Sequence, residues 1–184
     1  MPSGRIAVST SPVTAELAAF ACAHLERAGF STARWPADGV GGRAMETAIR
    51  TEDYVGVLDL ALTELAAELL GLPGGAGPER LTAAALRGIP QVIVPGGLES
   101  LPNPRSADRL AKEIAEKACA SRGPTAIVLP KIDPDDAIRS AFAASLQVWI
   151  YGVEIVETEF ALHDPEFAAV AAATLLTQLA ERRP

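Results

Sequence analysis

The sequence is poor in the residues from which most recognisable chemistry is built. Its 184 residues include two cysteines and two histidines, and aromatics make up only 5%. Cys22 and Cys119 stand far apart and neither has a Cys-x-x-Cys partner, so no metal site is expected and both should be reduced, buried thiols. His24 falls at the edge of a helical apolar stripe and reads as structural. His163 precedes a helix start with no Ser or Cys nucleophile near it. Gly-x-Ser-x-Gly is absent, and so are the Walker sequence and a true Gly-x-Gly-x-x-Gly, which leaves a triad, a P-loop and a conventional dinucleotide site unsupported. No cofactor is expected. No apolar run approaches the roughly 18 residues needed to cross a bilayer, and no charged-then-apolar leader opens the chain, so a soluble cytoplasmic protein is expected. Positive charge is also scarce. There are 16 Lys and Arg against 23 Asp and Glu, a formal net charge of −7, and the basic residues cluster only at Arg182-Arg183. Neutralising phosphates dominates nucleic-acid affinity, so a chain without a basic stripe is not expected to bind nucleic acid.

What is present is an ordinary globular composition, 49% hydrophobic and 21% charged, over a length that suits one domain spanning 1–184. With few aromatics, Ala, Leu, Val and Ile must fill the interior, and small side chains let helices lie close on a sheet. Short β-rich runs alternate with longer helical patterns. Strands are predicted at 5–8, 31–35, 55–60, 91–94, 126–129 and 153–156. Helices are predicted at 14–28, just after the Gly39 to Gly42 turn, at 63–70, at 79–87, from a Ser106 cap to Gly123-Pro124, from Asp133-Pro134-Asp135-Asp136 onward, and from Asp164-Pro165-Glu166 onward. This alternation predicts a doubly wound, Rossmann-like parallel sheet of about six strands with helices on both faces. The two helices between the third and fourth strands suggest the order 3-2-1-4-5-6.

In such a sheet, ligands lie beyond the carboxyl ends of the strands beside the switch point. That rule selects Ser9 and Thr10 after strand one, Gly41-Gly42-Arg43 after strand two, Thr63 and Glu64 after strand three, and Gly96-Gly97 after strand four. Glycines at a helix start permit close backbone approach with free N–H groups, and Arg43 suits a carboxylate or phosphate. The alternative is a plain tight turn with a surface arginine. Gly77 and Arg80 form a second glycine-led helix start, alternatively a cap with a solvated arginine. Ser9 and Thr10 equally suit capping the first helix. Asp59 ends a buried strand, where it must either accept backbone donors or face the crevice. Glu46, Asp59 and Glu64 are the candidate acid–base groups, although a glutamate in a first helical turn also serves the dipole.

Several of these pieces occur in a familiar order. Gly41-Gly42-Arg43-Ala44-Met45-Glu46, Gly56-Val57-Leu58-Asp59-Leu60, Thr63-Glu64-Leu65-Ala66, Ala76-Gly77-Pro78-Glu79-Arg80-Leu81 and Gly88-Ile89-Pro90-Gln91-Val92 together resemble uncharacterised protein family 0261, the family of the tomato mosaic virus resistance protein. Ile114-Ala115-Glu116-Lys117 and His163-Asp164-Pro165-Glu166-Phe167 are similar to it too. The resemblance implies a two-part parent of about twice this length, of which this chain is the second α/β half. The ATP-binding region associated with the tomato protein lies in the first half and does not carry over. A TIM-barrel partner of the family implies metabolism of small organic acids. Ala61-Leu62 replace the start of a Thr-rich family run, and the loops after Gly97 and Pro130 are short, which implies a more open site.

Three functional expectations follow. The first is an enzyme or enzyme subunit acting on a small anionic metabolite, with lyase- or hydrolase-type chemistry on an organic acid. The second is a non-catalytic ligand-binding module, and the third a protein-interaction domain. A homo-oligomer, or pairing with a missing partner half, is expected to cover Ala- and Leu-rich helix faces.

Overall fold

The six strands that the alternation calls for form one sheet, parallel throughout: β1 (Arg5–Thr10), β2 (Ser31–Pro36), β3 (Tyr54–Asp59), β4 (Gln91–Ile93), β5 (Thr125–Leu129) and β6 (Glu154–Glu157). The computed structural model describes residues 4–181, so Arg182-Arg183 lie outside the described residues. The helices are α1 (Ala15–Arg27), α2 (Gly39–Thr51), α3 (Thr63–Leu70), α4 (Ala83–Arg87), α5 (Pro104–Cys119), α6 (Ala137–Trp149) and α7 (Pro165–Glu181). Helices α1 and α7 share one apolar cluster with Ile6, Val8, Leu58, Val92 and Val128 of the sheet. On the opposite face α3, α5 and α6 cover Ile93, Ile127 and Leu129, while α2 and α4 cover Ala7 and Val57. This is a doubly wound, Rossmann-like α/β fold.

The strand order differs from the expected one. It is β2-β1-β3-β4-β5-β6, with β3 inserted beside β1 and β2 at the edge. Burial explains the difference. Strand β3 is enclosed on nearly every residue, whereas β2, Ser-Thr-Ala-Arg-Trp-Pro, is half exposed throughout. An internal β2 would have to bury Arg34 and accommodate Pro36, and both residues suit an edge. The switch point therefore lies between β1 and β3, not between β1 and β4.

Several helix starts also move, each because a side chain caps where the sequence offered a neighbour. Gly39 to Gly42 is not a turn before α2 but its first turn, since Asp38 Oδ1 accepts the amides of Val40 at 2.9 Å and Gly41 at 2.7 Å. Helix α5 is capped by Asn103, whose Oδ1 accepts Ser106 N at 3.0 Å, and it ends at Cys119 before reaching Gly123. Asp136 caps α6 and leaves Pro134 outside it. Residues 79–82, expected to be helical, form a turn in which Leu81 takes φ 68, a left-handed conformation that a leucine adopts only when its surroundings enforce it. Cys22 is buried as expected, but Cys119 is only half-buried, its Sγ 3.3 Å from the carbonyl of Tyr151. His24 is half-buried on α1 and His163 is exposed.

Candidate functional site

Tertiary structure gathers four residues from distant parts of the chain into one buried ion cluster. Arg80 is wholly buried, and around it stand Glu46 of α2, Asp59 at the carboxyl end of β3 and Glu64 in the first turn of α3, each at most 3% exposed. Its guanidinium uses all three nitrogens: Nε donates to Glu64 Oε1 at 2.6 Å, Nη1 to Glu46 Oε1 at 3.1 Å, and Nη2 to Asp59 Oδ1. This corrects two expectations. Arg80 is neither a ligand-binding nor a solvated arginine, and the Asp59 carboxylate, buried against Arg80, takes a side-chain donor in place of backbone donors or the crevice.

Glu46 does a second task. Its Oε1 also accepts Leu81 N at 2.7 Å, and its Oε2 accepts Ala83 N at 2.8 Å, so a carboxylate on α2 caps α4 from outside. These bonds hold Leu81 in its left-handed conformation. Burial pulls the Arg80 pKa down, but the facing carboxylates of Asp59, Glu64 and Glu46 outweigh it and hold the group well above its ordinary value. Glu64 moves the other way: burial pushes its carboxyl up from the ordinary value of 4.5 despite the pull of Arg80. Its Oε2 is buried with no bonding partner. The guanidinium occupies the centre of the cluster, and among the described residues no three His, Cys, Asp or Glu side chains are grouped to hold a metal ion.

The switch-point residues are tied to one another. Ser9 Oγ accepts Leu60 N at 3.0 Å and Ala61 N at 3.3 Å and donates to Ala61 O at 3.2 Å, bridging the ends of β1 and β3. Thr10 Oγ1 donates to Ser11 O, and no side chain among the described residues caps α1: the Thr14 hydroxyl at its start accepts Ser11 N at 2.9 Å instead. Thr63 Oγ1 donates to Ala37 O at 2.8 Å. Gly96 lies so close to the carbonyl of Leu60 that a side chain there would collide with backbone, and Gly97, at φ +98, abuts Thr63. The glycines of α2 answer to packing as well. A Cβ on Gly39 would come within 2.6 Å of Gly75 O, one on Gly42 within 2.9 Å of Ala76 Cβ, and one on Gly41 would strike Pro36 O. With Asp38 taking two of its amides, the α2 N-terminus does not present the free donors that the sequence suggested.

Open space lies to one side, between α2 and residues 76–79. There Arg43, Glu46, Thr47 and Arg50 of α2 face Ala76, Gly77, Pro78 and Glu79 across a cleft of about 290 Å³. Arg43 Nη1 donates to Gly75 O at 2.9 Å, and Arg50 pairs with Glu79 at 2.7 Å. Gly77 N donates to Glu68 Oε2 at 3.1 Å. Of the residues named from sequence, Arg43, Glu46 and Gly77 meet at this cleft. Sequence reasoning missed Arg50 and Thr47. Helical spacing could have found them, since positions 43, 47 and 50 lie on one face of α2.

Comparison with known proteins places this architecture. The model of a family described as "Uncharacterised protein family (UPF0261) C-terminal domain" matches residues 3–106. The chain belongs to UPF0261. Its matched span runs from just before β1 into α5 and contains both the tetrad and the cleft. A UPF0261 protein of Clostridium tetani is 47% identical over 76 residues, which are 41% of this chain and 19% of that protein. UPF0261 proteins of Brucella melitensis and Brucella suis are each 35% identical over 80 residues, 44% of this chain and 19% of theirs. The aligned stretch is thus about a fifth of each relative's length. Among the described residues, no helix of this UPF0261 chain is long and apolar enough to cross a membrane.

Proposed function

We propose that this UPF0261 chain is the ligand-holding part of an enzyme acting on a small anionic metabolite, such as an organic acid, and that the anion sits in the cleft between α2 and residues 76–79. The observation that carries this reading is the placement of two arginines, Arg43 and Arg50, along one wall of a cleft of about 290 Å³. Arginine presents a fork of donors that matches carboxylate or phosphate oxygens. Those donors are held by Gly75 O and the exposed Glu79 carboxylate, both of which an anion can replace.

One observation favours a non-catalytic binding module as the second reading. Of the two carboxylates that line the cleft, Glu46 has both oxygens already bonded, to Arg80 and to the amides of Leu81 and Ala83, and Glu79 is paired with Arg50. A general base would have to be a group other than Glu46, either Glu79 once displaced from Arg50 or a residue from the rest of a longer protein. Thermal unfolding with a panel of di- and tricarboxylates, phosphate and sugar phosphates tests the proposal. An anion at about 100 times its dissociation constant stabilises by roughly 2.7 kcal/mol. That stabilisation is expected in the native chain and is expected to shrink in Arg43→Ala and Arg50→Ala. A panel without effect, or an effect indifferent to both arginines, overturns the reading.

A further inference from the structure

The tetrad sets three carboxyl groups against one guanidinium in a place closed to water. Fully ionised, it would carry two uncompensated negative charges, and burying a charge without partners costs far more than burying a neutral polar group. The three carboxyls are not equally provided for. Glu46 receives Arg80 and two backbone amides, and Asp59 receives the terminal Nη2 nitrogen. Glu64 receives Nε on Oε1 alone, while Oε2 has no bonding partner. An unbonded carboxylic O–H at Oε2 is the lesser burden. The charged groups that face Glu64 are Arg80 from the α3–α4 connection, Asp59 from β3 and Glu46 from α2, while Glu68 lies one turn further along α3 at the surface.

We propose that the tetrad is a proton-dependent clasp: Glu64 keeps its carboxyl protonated while residues 76–83 are seated on α2 and β3, and release of that proton to solvent loosens the segment. The segment is suited to such control. It forms one wall of the cleft, contains the left-handed Leu81, and is fastened through Arg80 and through the amides that Glu46 accepts. The direction follows from the raised Glu64 value. A carboxyl whose folded value lies above its unfolded one lends stability that is complete below the unfolded value and fades as pH rises through the folded value. Nothing in this inference depends on what the cleft binds.

Amide hydrogen exchange at Leu81 and Ala83, corrected for the intrinsic pH dependence of exchange, tests it in the native chain and in Glu64→Gln. In the native chain, protection is expected to fall as pH rises above the ordinary glutamate range, by up to about tenfold per pH unit, the slope of one titrating group. In Glu64→Gln, which keeps an oxygen for Nε but cannot ionise, that fall is expected to vanish. Constant protection in the native chain, or the same decline in both proteins, overturns the proposal. Should the variant not fold, infrared spectroscopy of the native chain decides instead. A buried protonated carboxyl band persisting above the ordinary glutamate range supports the clasp, and its absence overturns it.

Discussion

Replacing Arg80 by methionine is the sharpest probe of how this fold is fastened. Methionine approximates the length and volume of the buried stem but has no charge and no donor, so the change leaves Glu46, Asp59 and Glu64 buried around nothing. Removing one partner from a buried ion network costs about 3–5 kcal/mol, because the remaining charge is then uncompensated. For a domain of 150–250 residues, each kcal/mol lowers the midpoint by roughly 2–4 °C, so a drop of about 6–20 °C is expected near neutral pH. Urea unfolding should register the same loss as a lower midpoint with an unchanged slope. The sign with pH is fixed as well. Without the guanidinium the orphaned carboxyls can be buried only by taking up protons, so the deficit should narrow as the solution is acidified. Arg80→Lys should fall between the two, because a compact ammonium cannot serve three carboxyls as the planar fork does. A loss below about 1 kcal/mol, the size of a surface ion pair, would refute the reasoning, and so would a deficit indifferent to pH.

Besides the arginine substitutions at the cleft and Glu64→Gln, two further changes test the backbone reading. Gly96→Ala would thrust a methyl group into the carbonyl of Leu60 and the side chain of Thr14, 2.7 Å away, and is expected to destabilise by at least about 1–3 kcal/mol in chemical denaturation. A neutral result would mean that the switch-point loops are not packed as described. Asp38→Ala removes the acceptor of two α2 amides and should cost about 1 kcal/mol by the same assay, with most of it recovered in Asp38→Asn.

How much of this could be read from sequence differs between elements. The bounds of α3, 63–70, were legible to the residue, because an apolar period ran straight into Gly71, which closes the helix in the left-handed region. The strands were legible to within a residue or two. Their order was not, although the signal was present: the polar, Pro-ended β2 reads as an edge and the apolar β3 as a centre. The helix from 79 to 87 was overpredicted because nothing in the local sequence shows that Glu46, more than thirty residues upstream, caps its true start. The glycines of α2 were legible as special but were assigned to a ligand, whereas their neighbours are Pro36, Gly75 and Ala76.

The sequence by itself determined a parallel α/β fold of six strands, the family, and which charged residues stand near the carboxyl edge, because periodicity, caps and motif order are local properties of the chain. Only the tertiary structure decided what those residues do. Each looked like an independent polar group: Asp59 with backbone donors or the crevice, Glu46 and Glu64 with acid–base work or the helix dipole, and Arg80 with a ligand or solvent. Folding brings them within bonding distance of one another, and in a buried, low-dielectric setting opposite charges so placed must pair before they can serve anything else. That Arg43 and Arg50 share one face of α2 follows from helical spacing, but only the tertiary structure sets that face against residues 76–79 to form a cleft.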